Sequence, residues 1–95
     1  MYISTRGNIE KKTSAEAIAL GMVPYGGLFV PEKIPNINWW DYKGLDYSDL
    51  ACRIMKLYLP DLPVEDIDNA VKVYSDGRFD DQNPVPLVDI GACGF

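Results

Sequence analysis

Gly21-Met22-Val23-Pro24-Tyr25-Gly26-Gly27-Leu28-Phe29-Val30-Pro31 packs three glycines and two prolines around a short apolar run. Gly21 follows an amphipathic stretch and suits a helix C′ position, because glycine takes the left-handed conformation without steric cost. Pro24 presets φ at an early turn position, and Gly26 and Gly27 can take positive φ. Leu28-Phe29-Val30 then reads as a three-residue strand that Pro31 ends by withholding a ladder donor. The segment predicts a helix stop, a turn and a strand.

Upstream, Tyr2-Ile3-Ser4-Thr5 is a candidate strand and Arg6-Gly7-Asn8 a turn. Thr13-Ser14-Ala15-Glu16 fits a capping box opening a first helix. Ala15, Ile18, Ala19 and Met22 form one apolar stripe on it. Downstream, Pro35, Asn36 and Asn38 mark an irregular path, and Trp39-Trp40-Asp41-Tyr42 a single helical turn. The two tryptophans read as a packing anchor, given their apolar area. Asp46 caps a second helix whose stripe is Tyr47, Leu50, Ala51, Ile54, Leu57 and Tyr58. Pro60 stops it, and Pro63 opens a third helix. Val64, Ile67, Val71 and Tyr74 make that helix's buried face, and Gly77 closes it. Arg78 to Asn83 is a polar loop, and Leu87-Val88-Asp89-Ile90 a last short strand. The pattern predicts an α+β fold, about three helices packed with a few short strands. The apolar tail Gly91-Ala92-Cys93-Gly94-Phe95 lacks the polar character of a terminus, which predicts a longer parent chain.

At 95 residues the chain is one domain at most, and it buries roughly 60–65% of the surface its unfolded form exposes. The net charge of −5 argues against nucleic acid, whose phosphates need Lys and Arg. No run approaches the ~18 apolar residues of a membrane span, and the N-terminus lacks a secretory pattern. Cys52 and Cys93 stand far apart in no motif, which predicts reduced thiols in a cytoplasmic protein, with Cys52 in the core. Histidine is absent, which removes the commonest general base and metal ligand.

Three constellations fail as chemistry. Gly21 and Gly26 match the outer glycines of a phosphate loop, but Gly27 and Leu28 replace its Lys and hydroxyl. Asp76, Asp80 and Asp81 lack calcium-loop spacing. Glu65, Asp66 and Asp68 are explained by the dipole of the helix they open. No metal site and no catalytic residue follows. Lys56 and Lys72 fall on the polar sides of their helices. Ser4-Thr5-Arg6 is the polar cluster that remains: Arg6 suits bidentate phosphate or carboxylate binding, or pins the first strand to a loop or a carboxylate.

In order and spacing, Ile3-Ser4-Thr5-Arg6-Gly7, Ala15-Glu16-Ala17-Ile18, Gly21, Gly26-Gly27-Leu28-Phe29-Val30-Pro31-Glu32, Ile34-Pro35 and Asp46-Tyr47-Ser48-Asp49-Leu50-Ala51 resemble the N-terminal domain of the threonine synthase family. Pro84-Val85-Pro86-Leu87 resembles the segment leading into that family's catalytic domain. The similarity covers nearly the whole chain. Its signature is Ser4, Thr5, Arg6, Gly7, Gly21, Gly26, Gly27, Leu28 and Pro31. Residues 1–83 then form the domain, and 84–95 begin the connection onward. One letter departs: the family usually has Asp where Tyr25 stands.

The resemblance implies a parent enzyme that uses pyridoxal phosphate to convert O-phospho-L-homoserine and water into L-threonine and phosphate. It implies the rest of the same chain as partner. The family's cofactor-binding lysine lies beyond this sequence; none of Lys33, Lys43, Lys56 or Lys72 matches that motif. The segment itself is then expected to be non-catalytic and to bind no cofactor, with Arg6 as the candidate substrate contact. The competing reading is a free-standing interaction module.

Overall fold

β1 (Tyr2–Ser4) and β2 (Phe29–Pro31) pair antiparallel, with Ile3 opposite Val30. The computed structural model describes residues 1–75 and 77–91. The other elements are α1 (Ser14–Leu20), a 3-10 turn (Trp39–Asp41), α2 (Tyr47–Tyr58) and α3 (Val64–Ser75). This is a small α+β domain of three helices and one two-stranded sheet.

The helix boundaries follow local chemistry. Thr13 Oγ1 accepts from the Glu16 amide at 3.2 Å, and Gly21 ends α1 at φ +73°. Asp46 Oδ1 accepts from the Asp49 amide at 2.8 Å to open α2. The Pro63 carbonyl accepts from the Asp66 and Ile67 amides at the start of α3, and Gly77 follows that helix at φ +71°. Among the described residues no helix is long and apolar enough to cross a membrane.

Several expectations are corrected. The strand begins at Phe29 rather than Leu28, and Pro31 lies within it opposite Tyr2. In a two-stranded ribbon every strand is an edge, so a missing donor is tolerated there. Leu87 to Ile90 is no strand, and its apolar side chains are exposed. The α1 stripe points outward: Ile18 and Met22 are exposed, while Ser14 and Ala17 are buried. Trp39 and Trp40 are 55% and 64% exposed, so they anchor no core of this chain. Cys52 is half-buried in a cleft rather than packed in the core. On α3, Ile67 and Val71 are buried as expected, but Val64 and Tyr74 are exposed. Asp76 and Cys93 lie outside the described residues.

Two packed pairs organise the described residues: β1 on β2, and α2 on α3, where Lys56 and Asp68 form an ion pair at 3.4 Å. Hydrogen bonds tie the α2–α3 hairpin to the ribbon and to α1. Tyr2 Oη donates to the Tyr58 carbonyl at 2.7 Å. Asp61, in the loop between α2 and α3, accepts from the Ser14 amide (3.0 Å), the Ala15 amide (2.9 Å) and the Ser14 hydroxyl. It thereby satisfies donors at the start of α1, where a helix has no internal acceptors.

These bonds, the Ala15 amide first, hold the Asp61 carboxyl below the usual carboxylate range. A depressed folded-state pKa gives stability that is present above the unfolded value of about 3.9 and lost as pH falls through the folded value. Urea midpoints of the native chain and Asp61→Asn are therefore expected to differ at pH 6 and to converge toward pH 2.5. Parallel curves at both pH values would remove Asp61 from the acid response. Glu32 also sits low, chiefly through its hydrogen bond from Lys11, which is why the difference between the two proteins is the quantity to follow.

Candidate functional site

The loop after β1 and the glycine turn before β2 lie against each other. Thr5 is paired twice with Leu28: its amide donates to the Leu28 carbonyl at 2.9 Å, and its Oγ1 accepts from the Leu28 amide at 3.0 Å. Ser4 Oγ, buried, donates to Asn8 Oδ1 at 2.6 Å and accepts from the Arg6 amide at 3.1 Å. Asn8 Nδ2 donates to the Gly26 carbonyl at 3.1 Å. The Gly7 amide closes the first turn onto the Ser4 carbonyl at 3.1 Å.

The glycines have a steric reason. Both Gly26 and Gly27 have φ +104°. A Cβ on Gly27 would stand 2.9 Å from Ser4 Oγ and 3.4 Å from Thr5 Oγ1. A Cβ on Gly26 would stand 2.4 Å from an Arg6 guanidinium nitrogen. Arg6 thus lies across Gly26, with its side chain exposed and no carboxylate paired to it among the described residues. Of the two anchorages expected for a structural arginine, the loop is present and the carboxylate is not. The hydroxyls of Ser4 and Thr5 hold the loops together, so the guanidinium is the group with donors turned to solvent.

Val23 to Gly26 is a turn, closed by the Gly26 amide on the Val23 carbonyl at 3.1 Å. Tyr25 occupies its third position at φ +67° and is 96% exposed. A left-handed non-glycine residue costs about 1–2 kcal/mol, against the ~0.5–1 kcal/mol entropy penalty of glycine. Tyr25→Gly is expected to stabilise the chain by about 0.5 kcal/mol in urea melts; a clear loss of stability would show that the ring makes a contact that matters.

The α2–α3 hairpin carries a second concavity, about 560 Å³, lined among others by Cys52, Arg53, Lys56, Asp68 and Lys72. Burial, then the neighbouring Asp68, pushes the Cys52 thiol up, which disfavours the nucleophilic thiolate. Lys56, expected on the polar side of its helix, is half-buried there and pairs with Asp68. The lysines do not fit a pyridoxal phosphate anchor, which needs an amine in a desolvated pocket. Lys11 and Lys12 pair with Glu32 and Glu10, Lys43 lies over exposed indole rings, and Lys33 and Lys72 are exposed. Among the described residues no group of acids and cysteines is placed to hold a metal ion.

Ser4, Thr5, Arg6, Gly7, Gly26, Gly27 and Leu28 are therefore brought into one junction. Gly21 and Pro31 flank it, ending α1 and β2. Sequence reading missed Asn8, whose amide bridges the two loops, and Asp61. Asn8 stood in a recognised turn, where Asn side chains commonly bond nearby backbone. Asp61 carried no local signal, because its partners lie more than forty residues away.

A family model described as threonine synthase N terminus matches residues 1–73. The threonine synthase of Saccharomyces cerevisiae is 37% identical over 93 residues, covering 90% of this chain and 18% of that protein. That of Methylobacillus glycogenes is 35% identical over 69 residues, covering 70% and 14%. That of Corynebacterium glutamicum is 30% identical over 98 residues, covering 94% and 20%. The chain thus spans a fifth or less of the length of these relatives. No solved structure matches it.

Proposed function

We propose that this chain, which belongs to the threonine synthase N-terminus family, is the amino-terminal domain of an enzyme that converts O-phospho-L-homoserine and water into L-threonine and phosphate. The observation that carries this reading is the family match over residues 1–73, the span that holds the whole Arg6–Gly27 junction. The pyridoxal phosphate of such an enzyme supplies carbanion stabilisation. No residue of this chain is assigned to hold it. Residues 1–83 form the domain and 84–95 lead toward the catalytic part. The parent works in the cytoplasm, and the domain's own work is structural or gating, on the substrate side of the cleft.

Within this reading Arg6 meets the phosphate of the substrate. Its guanidinium is exposed, has no carboxylate partner among the described residues, and rests on a glycine that leaves it room. A planar fork of donors suits a phosphate dianion.

The test is a chimera in which residues 1–83 of this chain replace the matching segment of the Saccharomyces cerevisiae enzyme. Threonine formation from phosphohomoserine is expected in the chimera and not in the 95-residue chain supplied with pyridoxal phosphate. A folded but inactive chimera would favour the interaction-module reading. Arg6→Ala in the chimera is expected to raise KM for phosphohomoserine about tenfold, the scale of one lost charged hydrogen-bonding contact. An unchanged KM with a lowered melting temperature would make Arg6 purely structural.

A further inference from the structure

The exposed surface of this chain, 7398 Å², exceeds by roughly 1,900 Å² the ~5,500 Å² expected of a folded monomer of its size. Its radius of gyration, 16.5 Å, likewise exceeds the ~12.4 Å expected for this length. The irregular run 84–91 contributes to this excess, and so do exposed apolar side chains along the chain. A standard stable interface takes about 800 Å² from each partner, so an excess of this order leaves ample area for one.

The largest such side chains are Trp39 and Trp40, with Ile34 and Ile37 just before them also about half exposed or more. The pair is held in place. Asn38 Oδ1 accepts from the Trp40 amide at 3.2 Å, the two rings lie 4.7 Å apart, and Lys43 Nζ sits 5.5 Å and 4.8 Å from their centroids. Exposed, pre-ordered tryptophans are what dominates binding at protein interfaces, because they bury much area with little entropy left to lose. The outward face of α1 is a weaker candidate, since Ile18 partly lines a groove with Phe29 and Leu59 of its own chain.

We infer that Trp39 and Trp40 are the anchor by which this domain docks on the polypeptide that follows it in the longer relatives. The inference rests on the family reading above. The surface that receives them is an apolar pocket with a carbonyl or carboxylate at its rim, because a buried indole N–H needs an acceptor. The relatives supply the occupant: the matched segment is an N terminus, and four-fifths or more of each relative lies outside it.

Hydrogen exchange by mass spectrometry on the 95-residue chain and on the chimera tests this. Amides of residues 37–42 are expected to exchange at least tenfold more slowly in the chimera. Trp39→Ser/Trp40→Ser is expected to abolish that protection, and to leave the urea midpoint of the 95-residue chain unchanged. An active chimera with 37–42 unprotected would overturn the docking inference while the functional reading stands. An inactive chimera with 37–42 protected would do the reverse. Self-association of the 95-residue chain in sedimentation runs, lost in the double variant, would assign the surface to a second copy and overturn the inference.

Discussion

Gly27→Ala is expected to destabilise the chain by about 2–6 kcal/mol, from backbone strain of ~1–3 kcal/mol and an overpacking cost of similar size. Two features combine at this position. The backbone has φ +104°, and the added methyl would press on Ser4 Oγ at 2.9 Å, a buried hydroxyl already bonded to Asn8 and to the Arg6 amide. Gly26→Ala shares the φ but meets only the flexible end of Arg6. It should therefore cost less, about 1–3 kcal/mol from strain alone, while displacing the guanidinium. Urea melts of both variants, monitored by far-UV circular dichroism, give the ranking. Equal losses below about 0.5 kcal/mol, the size of an ordinary surface change, would show that the junction is loosely packed. In the active chimera, Gly26→Ala should mimic the KM effect of Arg6→Ala.

Ile67→Ala is expected to cost about 3 kcal/mol, the middle of the range for emptying a buried isoleucine site. Ile67 is 2% exposed and is, among the described residues, the largest fully buried side chain. Among the described residues its buried apolar companions are Ala17, Val23 and Val71. A core this thin has little left to absorb the cavity, and a domain of this class has roughly 5–15 kcal/mol in total. Val64→Ala, on the same helix but at an exposed position, should change stability by less than about 0.5 kcal/mol. A loss under 1 kcal/mol for Ile67→Ala would mean that the hairpin is held by something other than this contact.

The elements with a local cause were legible. Thr13 and Asp46 each bond an amide three residues ahead, so spacing alone locates the starts of α1 and α2; the Asn38 cap on the 3-10 turn emerged only from the structure. Gly21 and the glycine-proline turn, which closes over Val23 to Gly26 rather than Pro24 to Gly27, are dictated by backbone sterics. The junction residues were legible as an ordered set matching a family, and Arg6 as the cluster's cation. What failed was the sense of inside and outside. Apolar periodicity marks a face but not what covers it; Ile18, Met22, Trp39 and Trp40 are apolar by sequence and exposed in the fold. The expected strand at Leu87 to Ile90 failed for a related reason, since a strand needs a partner edge.

The sequence by itself determined the helix caps, the glycine turn, the family and the absence of histidine chemistry, because each depends on neighbours in the chain or on residue type. Only the tertiary structure decided that the Arg6 loop lies on Gly26 and Gly27. Only it placed Asp61 at the start of α1, Asn8 between two loops, and the tryptophans on the outside. Those facts depend on which distant atoms compete for one donor, acceptor or volume, and that competition is settled when the chain closes on itself.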